Sequence, residues 1–298
     1  MKRIIEYNIK EQYNNYTIER FLKENGYSHS VIVSLKKTTK GIMLNDVWAY
    51  TNNRLKTGDT LVISIIENDT NPDILPVNIP IDIIYEDEDI LVVNKPADMP
   101  IHPSINNHEN TLANALMYYF NSQNESFTFR CINRLDRDTT GLTIIAKHNL
   151  SAAILGSQVA SRQIKRTYLA ICEGKVPDSG TIDAPIARCD GSTIERCVNF
   201  ECGEKAVTHY NLCEYDSINN LSLIRLNLET GRTHQIRVHM KYEGFPLIGD
   251  FLYNPSYSFI KRQALHSYSL DFTHPVTKEK MHLTAPLPGD MKCLFTSY

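Results

Sequence analysis

The chain of 298 residues has no C-x-x-C pair, no glycine-rich phosphate loop ending in Gly-Lys-Ser/Thr, and no G-x-G-x-x-G turn. The first absence removes the zinc ribbon and the thioredoxin-type redox site. The other two remove the common nucleoside triphosphate and dinucleotide cradles. No apolar run reaches membrane-spanning length, and the opening MKRIIEYNIKEQ lacks the uninterrupted apolar core of a secretory signal. A cytoplasmic protein with no membrane partner is therefore expected. Its seven cysteines, Cys131, Cys172, Cys189, Cys197, Cys202, Cys213 and Cys293, are odd in number and irregular in spacing. That suits reduced, mostly buried thiols. An excess of positive charge is missing as well: the net charge is -3.

That average hides a strong asymmetry. Residues 1–66 hold ten Lys/Arg and six Asp/Glu, a balance of +4, whereas residues 67–98 hold nine Asp/Glu and one Lys, a balance of -8. A basic module is followed by an acidic connector, so a basic face can exist on an acidic chain. Hydrophobic residues make up 42%, ordinary for a globular protein of more than one domain. TIERFLKENG and HSVIVSLKKTTKG have the apolar spacing of short helices, the second ending in lysines that suit a helix C-terminus. IMLND and RLKTGDTLVISI predict strands. A small α+β domain is expected over 1–66, a linker over 67–80 where Pro72, Pro76 and Pro80 interrupt a polar run, and a second domain over 81–298. That second domain is rich in β-branched strand patterns, HQIRVHM among them, with helices at TLANALMYYF and at LSAAILGSQVASRQ, for which Ser151 is the expected N-cap. The expected fold class is α+β on a mainly antiparallel, mixed sheet.

Three segments concentrate chemistry. INRLDRDTTGLTIIAK sets Asp136 between Arg134 and Arg137. On extended backbone Arg134, Asp136 and Asp138 share one face, Leu135 and Arg137 the other. Flanking guanidinium groups favour an anionic carboxylate, suited to a nucleophile or an electrostatic stabiliser. The same pattern also fits a surface ion-pair cluster. LETGRTHQIRVHM carries Arg232 just after a turn, at a loop-to-strand edge where functional groups gather. His234 and His239 are five residues apart and so oppose each other on a strand, which argues against a metal pair. QIKRTYLAICEG places Tyr168 in a strand, as a core residue or as a platform under a nucleobase.

Together these segments resemble the RluA-type pseudouridine synthases. Asn133-Arg134-Leu135-Asp136-Arg137-Asp138-Thr139-Thr140-Gly141 is similar to that family's H-R-L-D-x-x-T-S-G, Arg166-Thr167-Tyr168-Leu169-Ala170 to its basic-x-Tyr-x-Ala strand, and Thr230 to His239 to its T-G-R-x-H-Q-I-R-x-H run. Pro246 to Asp250 and Leu265-His266 fit its downstream positions, so the likeness spans about residues 81–290. Asn133 replaces the usual His, and Thr140 a frequent Ser. Residues 15–66 resemble, more loosely, the small RNA-binding domain named after the fourth small-subunit ribosomal protein. A monomer is the default expectation. The resemblance implies isomerisation of uridine to pseudouridine in ribosomal or transfer RNA, with no cofactor and no metal. It implies catalytic roles for Asp136, Tyr168 and Arg232, with Arg232 pairing Asp136, and RNA contacts from Arg134, Asn133, Thr140, Arg166, His234, Lys36 and Lys37. An N-glycosidase using Asp136 and Asp138, and a non-catalytic RNA-binding protein, are the competing readings.

Overall fold

Residues 1–67, 71–105 and 107–295 are described by the computed structural model. The expected linker over 67–80 falls partly on residues 68–70, outside the described residues. In the first 66 residues, β1 (Lys2–Asn8) and β4 (Thr60–Ile66) pair antiparallel, and β4 buries alternate residues. β2 (Ile42–Leu44) and β3 (Val47–Trp48) complete a sheet of order β1-β4-β2-β3. Helices α1 (Ile18–Glu24) and α2 (His29–Lys37) cover it, each started by a hydroxyl cap, Thr17 and Ser28, that accepts an otherwise unpaired backbone N–H. Strand β1 has no counterpart in the predicted elements. Its pattern is that of an edge strand, with Ile5 buried and Ile4 48% exposed.

The larger sheet has nine strands. Its main path runs β5 (Asp82–Glu86), β6 (Ile90–Lys95), β7 (Thr140–Ala146), β14 (Leu265–Thr273), β8 (Lys165–Glu173), β13 (Leu221–Leu228), β12 (Val207–Asp216) and β9 (Ser179–Asp183), with β15 (Lys280–Thr284) paired to β14. A separate ribbon joins β10 (Ile186–Arg188) to β11 (Arg196–Val198). The β7–β14 pair is parallel and short, with Thr140 opposite His266 and Gly141 opposite Ser267; the other paired strands are antiparallel. Gly141 has φ 106°, and a Cβ there would lie 2.3 Å from the Ser267 carbonyl oxygen. Only glycine lets the two backbones approach so closely. Three helices, α3 (Leu112–Ser122), α4 (Asn149–Ala160) and α5 (Gln235–Tyr242), and the short α6 (Gly289–Lys292) lie between and after the strands of the larger sheet.

Two sequence expectations change here. Ser151 is not the N-cap of α4: His148 is, its ring accepting the Ser151 N–H at 3.2 Å. HQIRVHM is not a strand but the body of α5. Its polar–apolar alternation looks like period two because the polar residues are buried too. Gln235, Arg237 and His239 are each 3% exposed or less. Ile236 and Met240, one helical turn apart, pack with Tyr168 and Leu135, while Val238 joins a second cluster with Tyr253.

The smaller sheet and α4 share packing. Leu150 and Ile154 of α4 are buried in the cluster formed by the first 66 residues, beside Phe21, Leu22 and Ile32. Each such side chain contributes about 2 kcal/mol when removed from water. Arg3 reaches across to Asp89 at 2.8 and 3.1 Å, and Asp89 also meets the buried His148 at 2.8 Å. Much of the acidic connector is thus matched to specific cations.

Candidate active site

The segment 132–139 forms neither helix nor strand, so its side chains are aimed by individual bonds. Asn133 supplies two of them: its amide donates to the Leu142 carbonyl (3.0 Å) and its oxygen accepts the Ile144 N–H (2.8 Å). At 3% exposure it is a clamp between the loop and β7, with no surface for a nucleotide. The expected RNA contact at Asn133 is therefore corrected. Thr140 is likewise buried, its hydroxyl bonded to His266 Nδ1 at 2.8 Å, and is not an RNA contact. The loop is held from below by Lys95, whose Nζ donates to the carbonyls of Pro96, Met99 and Arg137 at 2.7–2.9 Å. Burial pushes this ammonium down to about 7, and the charges of Asp138 and Asp136 resist that fall.

Held in this way, Asp136 lines a narrow cleft with Arg134, Tyr168, Arg232, His234 and Arg237. Its free volume is ≈ 60 Å³, space for a few waters. Asp136 keeps 30% of its side chain exposed. Its counter-ion is Arg237, whose Nη1 donates to Oδ2 at 2.9 Å. Arg232 instead pairs with Glu204 and donates from Nε to the Lys205 carbonyl at 3.1 Å. The expected Arg232–Asp136 pair is thus replaced: α5 begins at Gln235, so Arg237 faces the cleft from the first turn of a helix while Arg232 stays on its rim. Arg237 is also gripped by Asp250, at 2.6 and 2.8 Å in a two-point pair. Burial alone would push this guanidinium down, but the hydrogen bonds and charge of Asp250, with Asp136, leave it raised and always charged.

His234 precedes α5 in a left-handed conformation, φ 57°. Its Nδ1 meets the Tyr253 hydroxyl at 3.0 Å, and that oxygen accepts the Arg196 N–H at 2.9 Å. The tyrosine proton is then free to go to Nδ1, leaving a protonated Nε2 whose nitrogen lies 3.9 Å from Asp136 Oδ2. Burial pushes His234 below its usual value. Tyr168, 4% exposed, lines the opposite wall; burial raises its hydroxyl, with Arg166 and Ser267 beside it. Gln235 fixes the Thr230–Arg232 turn by accepting from the Thr230 hydroxyl (2.8 Å) and the Arg232 N–H (3.0 Å). His239 is purely structural, bonded to Thr208 and to the Ala184 carbonyl. Lys36 and Lys37 are exposed at the end of α2, far along the chain, Lys36 3.8 Å from Glu19.

Residues 89–242 match the RNA pseudouridylate synthase family. The RNA pseudouridine synthase YjbO of Bacillus subtilis is 40% identical over 280 residues, covering 93% of this chain and 98% of that protein. The chain belongs to the RNA pseudouridylate synthase family.

Within it, the RluA type fits best. This synthase is 42% identical over 227 residues to the ribosomal large subunit pseudouridine synthase D of Haemophilus influenzae, covering 72% of this chain and 69% of that one. Human RNA pseudouridylate synthase domain containing 1 has a similar fold, with TM-score 0.59, 27% identity, and coverage of 70% of this chain and 83% of that one. Sequence reasoning about the synthase passed over Lys95, Arg237 and Asp250. For Arg237 a signal was present: a charged residue inside an apolar run needs a buried partner.

Proposed function

We propose that the cleft receives one uridine flipped out of a folded RNA, and that large-subunit ribosomal RNA is the first substrate class to test. The relatives' names support the RNA. The observation that carries the chemistry is the Asp136–Arg237 pair, 2.9 Å apart and walled by Tyr168. In a paired or stacked stretch of RNA the uracil cannot turn about its glycosidic bond, so the base must leave its stack at a cost of about a few kcal/mol. The exposed Arg134 at the rim of the cleft would fill the vacated stack with its planar guanidinium.

Asp136 then acts at the ribose. The bond from C1′ to N1 breaks, the retained uracil turns, and a bond from C1′ to C5 forms. One proton leaves C5 and N1 ends with one, so no donor or redox partner is required. Arg237 keeps the carboxylate aimed in a site with little water, Tyr168 flanks the base, and Arg232, Arg166 and His234 edge the substrate. Lys36 and Lys37 supply phosphate contacts from the first domain. The seven cysteines are free, which supports a reducing, cytoplasmic setting. A monomer suffices, because one chain supplies every side chain of the site. For an N-glycosidase, Asp138 would have to be a proton donor in the same cleft. Its oxygens instead accept Arg137 at 2.8–3.2 Å, outside that cleft.

The test is release of tritium from transcripts carrying [5-³H]uridine, with free uracil measured alongside. Asp136→Asn should bind the transcript as tightly as wild type and release no tritium. Turnover by that variant, or uracil from the wild type, would sink the proposal.

A further inference from the structure

A second hollow adjoins the cleft and plays no part in the chemistry above. It holds ≈ 370 Å³, and Arg137, Phe251, Tyr257 and Lys261 wall it, with Asp138 and Arg262 beneath. Phe251 is 43% and Tyr257 50% exposed. Two exposed rings walling one hollow make a contiguous apolar patch, the kind of surface that marks a binding site. Arg137, Lys261 and Arg262 line the hollow; Asp138 pairs with Arg137 and Asp290 with the buried Arg262, which leaves Lys261 to meet a phosphate. Exposed rings facing a cation match what a stacked base and its phosphate require.

The segment that presents the rings is built, although it is neither helix nor strand. Asp250 Oδ1 accepts the N–H groups of Leu252 and Tyr253 at 3.0 and 3.2 Å, and Asn254 N–H returns to the Asp250 carbonyl at 2.8 Å. Asn254 is pinned outward to Glu173 at 3.0 Å. A surface ordered before its ligand arrives loses less entropy on binding. The hollow lies beside the cleft: Arg137, which walls it, directly follows Asp136, and the Phe251 ring centroid lies 5.4 Å from the Arg237 guanidinium that pairs with Asp136.

We infer that this hollow binds the base of an unpaired nucleotide next to the flipped uridine, stacked on Phe251 and Tyr257 with Lys261 toward its phosphate. It rests on reading the cleft as a uridine site. It makes the hollow a specificity element, selecting strands whose flanking nucleotide is free to unstack.

Phe251 touches Arg237, so the test uses Tyr257. Full-length Tyr257→Ala and Tyr257→Trp proteins are compared with wild type on an unmodified large-subunit ribosomal RNA transcript, by tritium-release kcat/KM and by Kd, with melting temperature as the folding control. Loss of one stacking ring should lower kcat/KM and affinity about tenfold in Tyr257→Ala, and Tyr257→Trp should restore both. An alanine variant within about twofold of wild type overturns the inference and leaves the rings to a protein partner. So does a tryptophan variant as weak as alanine. If wild type releases no tritium, the cleft reading fails, and the Kd comparison still decides the hollow.

Discussion

Replacing Arg237 by Gln isolates what the two-carboxylate clamp does. The side chain is 2% exposed and its partner Asp250 is fully buried. Deleting the guanidinium leaves Asp250 as an unpaired carboxylate out of water, a change that costs about 3–5 kcal/mol. Domains are stable by only about 5–15 kcal/mol, so urea denaturation should show a large loss. Asp136 fares better, because 30% of its side chain is already wet. Its loss is one of aim: a carboxylate free to rotate should lower kcat about 100-fold. The double variant Arg237→Gln/Asp250→Asn removes the stranded charge, and should recover at least half of the lost stability while activity stays down. Those two outcomes separate folding from catalysis within one cycle. A double variant as unstable as the single, or as active as wild type, would refute the reasoning.

Tyr168→Phe keeps the ring and removes the hydroxyl, so transcript Kd should hold within about twofold while kcat falls by about 100-fold or more, as for loss of a positioned acid–base group; equal losses in both would place the tyrosine in binding. Lys36→Ala/Lys37→Ala should weaken binding and flatten the slope of log K against log salt by about 1–2, and an unchanged slope would remove these lysines from the interface. Burial pushes His266 down to about 4, from about 6.5 in an unfolded chain. The unfolded state therefore binds the extra proton first. This contribution is intact above about pH 6.5, is lost as pH falls toward 4, and reaches about 3 kcal/mol. His266→Gln should flatten the stability–pH curve in that window, and a curve of unchanged slope would put the acid sensitivity elsewhere.

That Asp136 and Tyr168 belong to one cleft was legible because they sit in short ordered runs, Arg134 to Gly141 and Arg166 to Ala170. The α+β class was legible too, since strands such as LTIIAK and LSLIRLNLE lie between turns. Arg237 was not, for two reasons. Its helix imitates a strand when Gln235, Arg237 and His239 are buried with Ile236 and Val238. Its partners Asp136 and Asp250 belong to other segments, the first of them 101 residues away. Asn133 and Thr140 misled in the opposite sense. Polar residues beside a reactive group suggest ligand contact, yet here both spend their hydrogen bonds on the backbone and on His266. A one-dimensional reading sees which groups are polar, and only packing shows where each donor is spent.

The β7–β14 pairing has one more consequence. The nine strands form two wings meeting at a seam only two residue pairs long. Asp136 enters from the β7 wing; Tyr168 on β8, and Arg237 with Asp250 in segments between β13 and β14, belong to the other. Neither wing owns a complete site. The cleft therefore belongs to the zipped pair, and a chain whose halves have failed to meet leaves Asp136 without its Arg237 partner.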